Sequence, residues 1–305
     1  MSVVVLTGGV GGAKLVLGLC HAIDPAEVVA IVNTGDDFTH LGLRISPDID
    51  TLLYTLSGKG NSVQGWGREG ESWVFMTALR ELGGSDWFLL GDGDLALHVL
   101  RTAALAAGET LSETTAAFAR SWGIRATILP MTDDLVATEV ETDEGPLAFQ
   151  RYFVARRCEP RVSDIRFIGV STALPAPGVL AAIAAAEAIL IAPSNPFLSV
   201  DPVLAVPGLR QALKNARAPV IAVSPIVGGK AVKGPTAKLM AELGFDISAA
   251  AVARHYNGVI DAMLVDERDP PGGLPVRSAR TDTLMHDLDD RVRVARAALA
   301  LAVMG

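Results

Sequence analysis

A short β-branched strand that runs straight into a glycine-rich turn constrains this chain more than any other feature. Val3-Val4-Val5-Leu6 has the pattern of a buried parallel strand, and Gly8-Gly9-Val10-Gly11-Gly12 follows it. Ala13 to Ile23 then reads as a helix and Val28 to Val32 as a second buried strand. Strand, tight turn, helix and strand open a nucleotide-type βαβ unit. The glycines let a backbone approach a phosphate closely. The helix behind them offers N–H groups and the positive end of its dipole. The expected ligand is a phosphorylated nucleotide.

Two fingerprints for such a turn fail. The dinucleotide pattern requires Gly or Ala where Lys14 stands, which sets aside a nicotinamide-dependent oxidoreductase. A P-loop requires Gly-Lys-Ser/Thr, and the chain gives Ala13-Lys14-Leu15. Without a hydroxyl at position 15, Mg²⁺ must be held elsewhere, and it prefers carboxylates, phosphate oxygens and water. Asp36 and Asp37 close the second strand in Asn33-Thr34-Gly35-Asp36-Asp37. Asp48 and Asp50 follow in Ser46-Pro47-Asp48-Ile49-Asp50-Thr51, where an extended segment would put both on one side. One acidic strand end is ordinarily a solvated cap. Four such aspartates beside a phosphate turn suit a metal better.

From Thr51 to about Ile124 helical patterns dominate, at Val74–Leu82, Leu95–Ala107 and Leu111–Ser121. A mostly helical subdomain over 51–124, with an exposed turn at Gly91-Asp92-Gly93-Asp94, is therefore expected to interrupt an α/β domain of 1–50 and 125–305. Val136–Thr142 and Leu147–Val154 alternate around Asp143-Glu144-Gly145 as a β-hairpin. Arg166–Ser171, Ala188–Ala192, Val220–Val223 and Met263–Val265 carry strand patterns; Val179–Ala186, Leu209–Asn215 and Leu288–Val303 carry helical ones. Alternation of this kind predicts a Rossmann-like parallel sheet covered by helices on both faces. Its ligands belong beyond the carboxyl ends of the strands. Ser194-Asn195 between two prolines, Gly228-Gly229-Lys230 and Lys233-Gly234-Pro235 therefore join the glycine turn as candidates.

Several function classes drop out. A net charge of -8 argues against nonspecific nucleic-acid binding. Cys20 and Cys158 lack metal-ligand spacing and read as reduced thiols. The longest apolar stretch, Val179–Ala192, contains Glu187 and falls short of the roughly 20 residues of a membrane span. With no leader pattern ahead of Val3, a soluble cytoplasmic protein is expected. No His-Glu-x-x-His or Gly-x-Ser-x-Gly occurs; His98, on an apolar helix, reads as a buried, hydrogen-bonded side chain. Trp66, Trp73, Trp87 and Trp122 read as packing residues, one of which can stack on a flat heterocycle.

Seven blocks occur in order: Thr7–Lys14, Asn33–Asp37, Ser46–Thr51, Gly91-Asp92-x-Asp94-Leu95-Ala96, Ala192–Pro196, Ser224–Gly229 and Arg280–Met285. From residue 1 to about 290 the chain thereby resembles the CofD family, the 2-phospho-L-lactate transferases of deazaflavin coenzyme F-420 biosynthesis. The resemblance implies a guanosine-diphosphate-linked three-carbon acid (lactyl, or its phosphoenolpyruvate equivalent in bacteria) as donor. It implies the terminal hydroxyl of the deazaflavin Fo as acceptor, GMP as leaving group, Mg²⁺ as cofactor and a homodimer. Gly8, Gly9, Gly11, Gly12, Lys14, Asn33, Ser194, Asn195, Gly228 and Gly229 then bind the donor, and Asp37, Asp48 and Asp50 bring the metal. Asp50 matches the family aspartate that contacts Fo, so it is metal ligand or base, with Asp48 beside it. Gly93 departs from the family pattern, which commonly has Arg or Lys there, and weakens the acceptor side. The alternative is a CofD-like nucleotide or nucleotide-sugar binding regulator without transferase activity.

Overall fold

The computed structural model describes residues 1–61, 67–232 and 234–303; Trp66 and Lys233 lie outside these. Seven short runs form one sheet: β1 Val3–Thr7, β2 Val28–Val32, β3 Thr127–Pro130, β4 Ala188–Ile191, β5 Val220–Val223, β6 Ala262–Asp266 and β7 Arg277–Thr281. All neighbours pair parallel, in the order β7-β6-β5-β4-β1-β2-β3. That is the doubly wound order, and it reverses between β1 and β4. Every residue of β1, β4, β5 and β6 is buried, as strands roofed on both faces require.

Alternate residues of β1 feed two cores. Val3 and Val5 join Leu15, Val16 and Leu19 of α1 (Gly9–Ala22) and Val294 and Ala298 of the C-terminal helix Leu288–Val303. Val4 and Leu6 face the opposite layer, with Val179, Ile183, Val203 and Leu209. Gly18 lets the first layer close, because a Cβ there would collide with the backbone carbonyl of Arg291.

Among the described residues, four helices fill the crossover from β2 to β3: α2 Pro47–Leu56, α3 Val74–Glu81, α4 Asp92–Ala106 and α5 Leu111–Ser121. The division expected at residues 50/51 falls inside α2. Ile49, Leu52 and Leu53 of α2 and Leu111 and Ala119 of α5 belong to the same core as β1 and α1. A satellite core of Ile45, Met76 and Leu90 lies under α3 and the two-stranded hairpin of Phe38–His40 and Leu43–Ile45.

Other expectations are corrected. Ser46-Pro47-Asp48-Ile49-Asp50 is not extended, since Pro47 is the first residue of α2. On a helix, residues two apart differ by about 200° and do not share a face. The turn Gly91–Asp94 is the first turn of α4, with Gly91 preceding it. Asp92 turns away to accept the N–H groups of Val74 and Phe75, each at 3.0 Å. The hairpin Ala137–Thr142/Gly145–Ala148 forms, but the chain then coils into a π-helical turn over Arg151–Ala155. The strand expected to resume at Arg166 is Val162–Ile168, an antiparallel partner of that hairpin and not part of the central sheet. No described helix is long and apolar enough to cross a membrane.

Candidate active site

The switch point brings the end of β1 against the end of β4. Thr7 closes β1 and α1 begins at Gly9, so the turn is as tight as the glycines suggest. Most of those glycines are required by the protein itself. A Cβ on Gly8 would lie 2.6 Å from Asp48 Oδ2 and 2.7 Å from Ser199 Cβ, and one on Gly11 would lie 2.7 Å from the Pro193 carbonyl oxygen. A Cβ on Gly12 would strike Thr7 Oγ1 and sit 2.9 Å from Ser194 Oγ. Gly9, at φ +64°, faces open space.

Helix α1 has neither an acidic residue in its first turn nor a side-chain cap of its own. Asp48 of α2 supplies a carboxylate there. Its Oδ1 accepts the Gly9 N–H at 2.7 Å, and its Oδ2 accepts from Asn33 Nδ2 at 3.0 Å. Negative charge is favoured at this place by the helix dipole and by the N–H groups of the first turn. Val10 and Gly11, beside the carboxylate, are half-buried.

The companion loops hold the frame. Ser194 Oγ donates to the Gly8 carbonyl at 2.7 Å and receives the Gly8 N–H at 3.3 Å. Asn195 Oδ1 accepts the N–H groups of Phe197 and Leu198, while its Nδ2 donates to Thr236 Oγ1 at 3.0 Å. Asn33, fully buried, receives the Gly35 N–H at 2.8 Å and donates to the Leu198 carbonyl at 3.3 Å as well as to Asp48. Lys14 reaches the last sequence block, donating to the Met285 carbonyl at 2.6 Å. Gly228 and Gly229, at φ +57° and +72°, form the turn of a small hairpin beyond β5, and the Gly229 N–H donates to Asp269 Oδ1 at 2.9 Å. Ser194, Asn33 and the glycine turn thus converge, with Lys14 on the same helix, whereas the Gly228 hairpin makes its contact at Asp269.

Four aspartates follow along the edge at the end of β2. Burial raises the Asp36 carboxyl well above its ordinary value, and the charges of Asp48 and Asp37 add to this. Burial pushes Asp37 up to about 8 against the opposing hydrogen bond from Ser46 Oγ, and pushes Asp48 up to about 6 against the bonds from Asn33 and Gly9. Asp36 Oδ1 and Asp37 Oδ1 are buried with no hydrogen-bond donor. Among the described residues, no three His, Cys, Asp or Glu side chains gather closely enough to hold a metal by themselves.

Asp50, two residues beyond Asp48, turns to α4. Arg101 grips both its carboxylate oxygens: Nη1 stands 3.2 Å from Oδ2, and Nη2 makes a shorter bond to Oδ1. Burial raises the Asp50 carboxyl even against the pull of Arg101 and His98. His98 Nδ1 lies 3.6 Å from Asp50 Oδ2, and its Nε2 lies 3.2 Å from Asp94 Oδ2. The Tyr54 hydroxyl bonds Asp94 Oδ1. Sequence reading missed Arg101, Asp94 and Tyr54 as a set. Their signal was helical spacing, Asp50-x₃-Tyr54 on one helix and Asp94-x₃-His98-x₂-Arg101 on the next.

A cavity of about 630 Å³ opens over the ends of β2 and β3, walled by Thr34, Asp37, Arg44, Ser46, Thr102 and Leu135 among others. It follows the aspartates along the sheet edge. Gly93 lies at the start of α4, where its N–H donates to Glu71 Oε2 at 2.6 Å. A Cβ on Gly93 would overlap Arg68, whose guanidinium carbon is 2.8 Å away. A cation from a neighbouring loop thus stands where a side chain at position 93 would go. Of the tryptophans, Trp122 packs against Tyr54, Trp87 lies under the Arg151 guanidinium, and Trp73 is partly exposed.

Comparison with known proteins gives this geometry a family. The sequence profile described as 2-phospho-L-lactate transferase CofD matches residues 3–303. Phosphoenolpyruvate transferases of Streptomyces coelicolor and Streptomyces griseus are 42% and 44% identical, over 99% of this chain and 98% of theirs. The Mycobacterium ulcerans protein of that name is 41% identical over 99% of each chain. A crystal structure of a UPF0052 family protein from Bacillus halodurans shares the fold, with a TM-score of 0.66 at 18% identity over 98% of this chain and 99% of its own. The chain belongs to the CofD family of 2-phospho-L-lactate transferases and is a transferase.

Proposed function

We propose that this enzyme transfers phosphoenolpyruvate from a guanosine-diphosphate-linked donor to the terminal hydroxyl of the deazaflavin Fo, releasing GMP, in coenzyme F-420 biosynthesis. The acceptor oxygen forms a bond to the phosphorus bearing the three-carbon acid, the bond from that phosphorus to the bridging oxygen breaks, and GMP carries that oxygen away. The hydroxyl proton goes to a base or to water. The observation that carries this reading is the order of parts along one sheet edge. The N-terminus of α1 lies at the β1/β4 switch point, the aspartates at the end of β2, and the cavity over β2 and β3.

Phosphoryl transfer is chiefly positioning and charge neutralisation. The first turn of α1 suits the donor diphosphate, which would displace or share the place of the Asp48 carboxylate on Gly9. The cavity suits the acceptor, with apolar walls for a flat ring and Arg44, Ser46 and Thr34 for its polar groups. Arg68 supplies beside Gly93 the positive charge that position 93 lacks. Asp50 orients the acceptor hydroxyl. The enolpyruvyl acid is favoured over lactyl by the name that the relatives carry.

The site fits Mg²⁺. Two buried carboxylate oxygens, on Asp36 and Asp37, have no donor, and burial raises both carboxyls above their ordinary values. Asp37 and Asp48, expected as ligands, would hold the ion with its remaining positions left to phosphate oxygens and water. Asp50 is the least available of the expected ligands, being occupied by Arg101. When bound, the ion would neutralise charge on the transferred phosphoryl group.

Incubation with Fo, Mg²⁺ and the guanosine-linked enolpyruvyl donor should release GMP and form an Fo phosphodiester. Binding of a nucleotide by calorimetry without Fo binding or turnover would favour the regulator instead. A homodimer in the cytoplasm completes the proposal, and size-exclusion chromatography tests the first of these.

A further inference from the structure

Asp50 and Tyr54 lie one turn apart on α2, and Asp94, His98 and Arg101 form one stripe on α4, so the helices meet along a polar seam. Arg101 and His98 are each 1% exposed and Asp50 is 4% exposed. Arg101 Nη1 lies 3.4 Å from His98 Nδ1, and the other ring nitrogen, Nε2, lies 3.2 Å from Asp94 Oδ2. Arg101 Nη1 also points to the Arg44 carbonyl at 3.3 Å, and the guanidinium packs over the Phe118 ring. Arg44 and Thr102, on either side of this contact, line the cavity.

A seam of apolar residues would join two helices without desolvating charges, which costs several kcal/mol per ion before pairing repays it. At its Asp50–Arg101 end the seam meets the backbone of Arg44, which lines the cavity. We infer that Arg101 is a positioning residue for the transfer, fixing the orientation of Asp50 through its planar fork, with Tyr54, Asp94 and His98 bracing Arg101 from behind. This rests on the reading of Asp50 given above. Lysine would keep the charge and lose the fork.

The test is steady-state GMP release by the whole chain carrying Arg101→Lys, Arg101→Met or Tyr54→Phe, with thermal midpoints measured alongside. Arg101→Lys should lower kcat on the order of 10²-fold, the scale of a small misplacement at a reacting centre, with the donor KM unchanged. Arg101→Met should lose more, so that lysine counts as a partial rescue. Tyr54→Phe should lower kcat several-fold with little change in thermal midpoint. If Arg101→Met does not fold, the other two variants decide. Wild-type kcat in both of them overturns the inference and leaves the proposed function standing. Absence of turnover in the unaltered enzyme overturns the function, and with it the role assigned to Arg101.

Discussion

Once their missing Cβ atoms are considered, the glycines of the opening turn divide into two kinds. Gly12 abuts Thr7 and Ser194, so Gly12→Ala should cost about 1–3 kcal/mol by overpacking, read in a denaturant titration. Gly11→Val would meet the Pro193 carbonyl, and its effect on the donor would come through a displaced loop. Gly9 faces open space at φ +64°, so Gly9→Ala should cost about 1–2 kcal/mol of backbone strain and reduce donor affinity, measured by calorimetry. Unchanged affinity would remove the turn from the donor site. The aspartates make a second prediction. An acid whose folded pKa lies above its unfolded value stabilises the fold most below the unfolded value, and that stability is lost as pH rises through the folded one. Asp48 is raised from 3.8 to about 6 and Asp37 to about 8. Without a divalent cation the thermal midpoint should therefore fall across this window, and Mg²⁺ should restore more of it at the alkaline end. A midpoint that climbs over the same range would contradict the burial-raised state of these carboxyls. At the acceptor end, Arg68→Ala should raise the KM for Fo and leave that for the donor unchanged, with Arg68→Ala/Gly93→Arg recovering part of the loss. Among single residues, the glycines, Asn33 and the aspartates were legible because they lie close together in the chain. Ser194 and Lys14 were named too, but not whom they meet: Ser194 meets Gly8 across 186 positions, and Lys14 meets Met285 across 271.

Elements became legible where burial on both faces writes an unbroken apolar run, as in β1, β2, β4 and β5. The two strands of the central sheet that escaped notice, β3 and β7, are its edges. The β7 residues Arg277-Ser278-Ala279-Arg280-Thr281 are polar in the way that keeps an open edge from pairing with another chain. Val162–Ile168 was misplaced for a related reason: its alternating exposure is that of a sheet wet on one face, which a short window does not separate from a central strand. Helix periodicity placed α3 and α5 closely but stayed silent about Pro47, whose fixed φ suits the first position of a helix and which turns Asp48 and Asp50 to different partners. The same logic marks Gly18. It allows α1 to lie against the C-terminal helix, so Gly18→Val should destabilise by about 1–3 kcal/mol. Activity per folded molecule should persist, because that contact lies on the face of the sheet and away from its carboxyl edge. Loss of activity without loss of stability would mean that the contact between the two helices shapes the site.

For the molecule as a whole, the strand order is the argument. Placing β1 between β2 and β4 sets the helix N-terminus at the reversal and lays the aspartates and the cavity beside it on the same edge. The crossover from β2 to β3, enlarged to four helices, contributes α2 and α4 and with them Asp48, Asp50 and Arg101. The glycine turn, the aspartates and most of the cavity wall thus come from the first 137 residues, joined by Ile168, Gly169 and Ser194 from farther along the chain. The central claim is a transfer between a guanosine-linked acid and Fo, and product mass spectrometry tests it most directly. Equal amounts of the enolpyruvyl, lactyl and glyceryl donors are offered together with Fo and Mg²⁺. The enolpyruvyl phosphodiester of Fo should dominate, with GMP released in equal amount; no Fo adduct from any of the three donors would contradict the account.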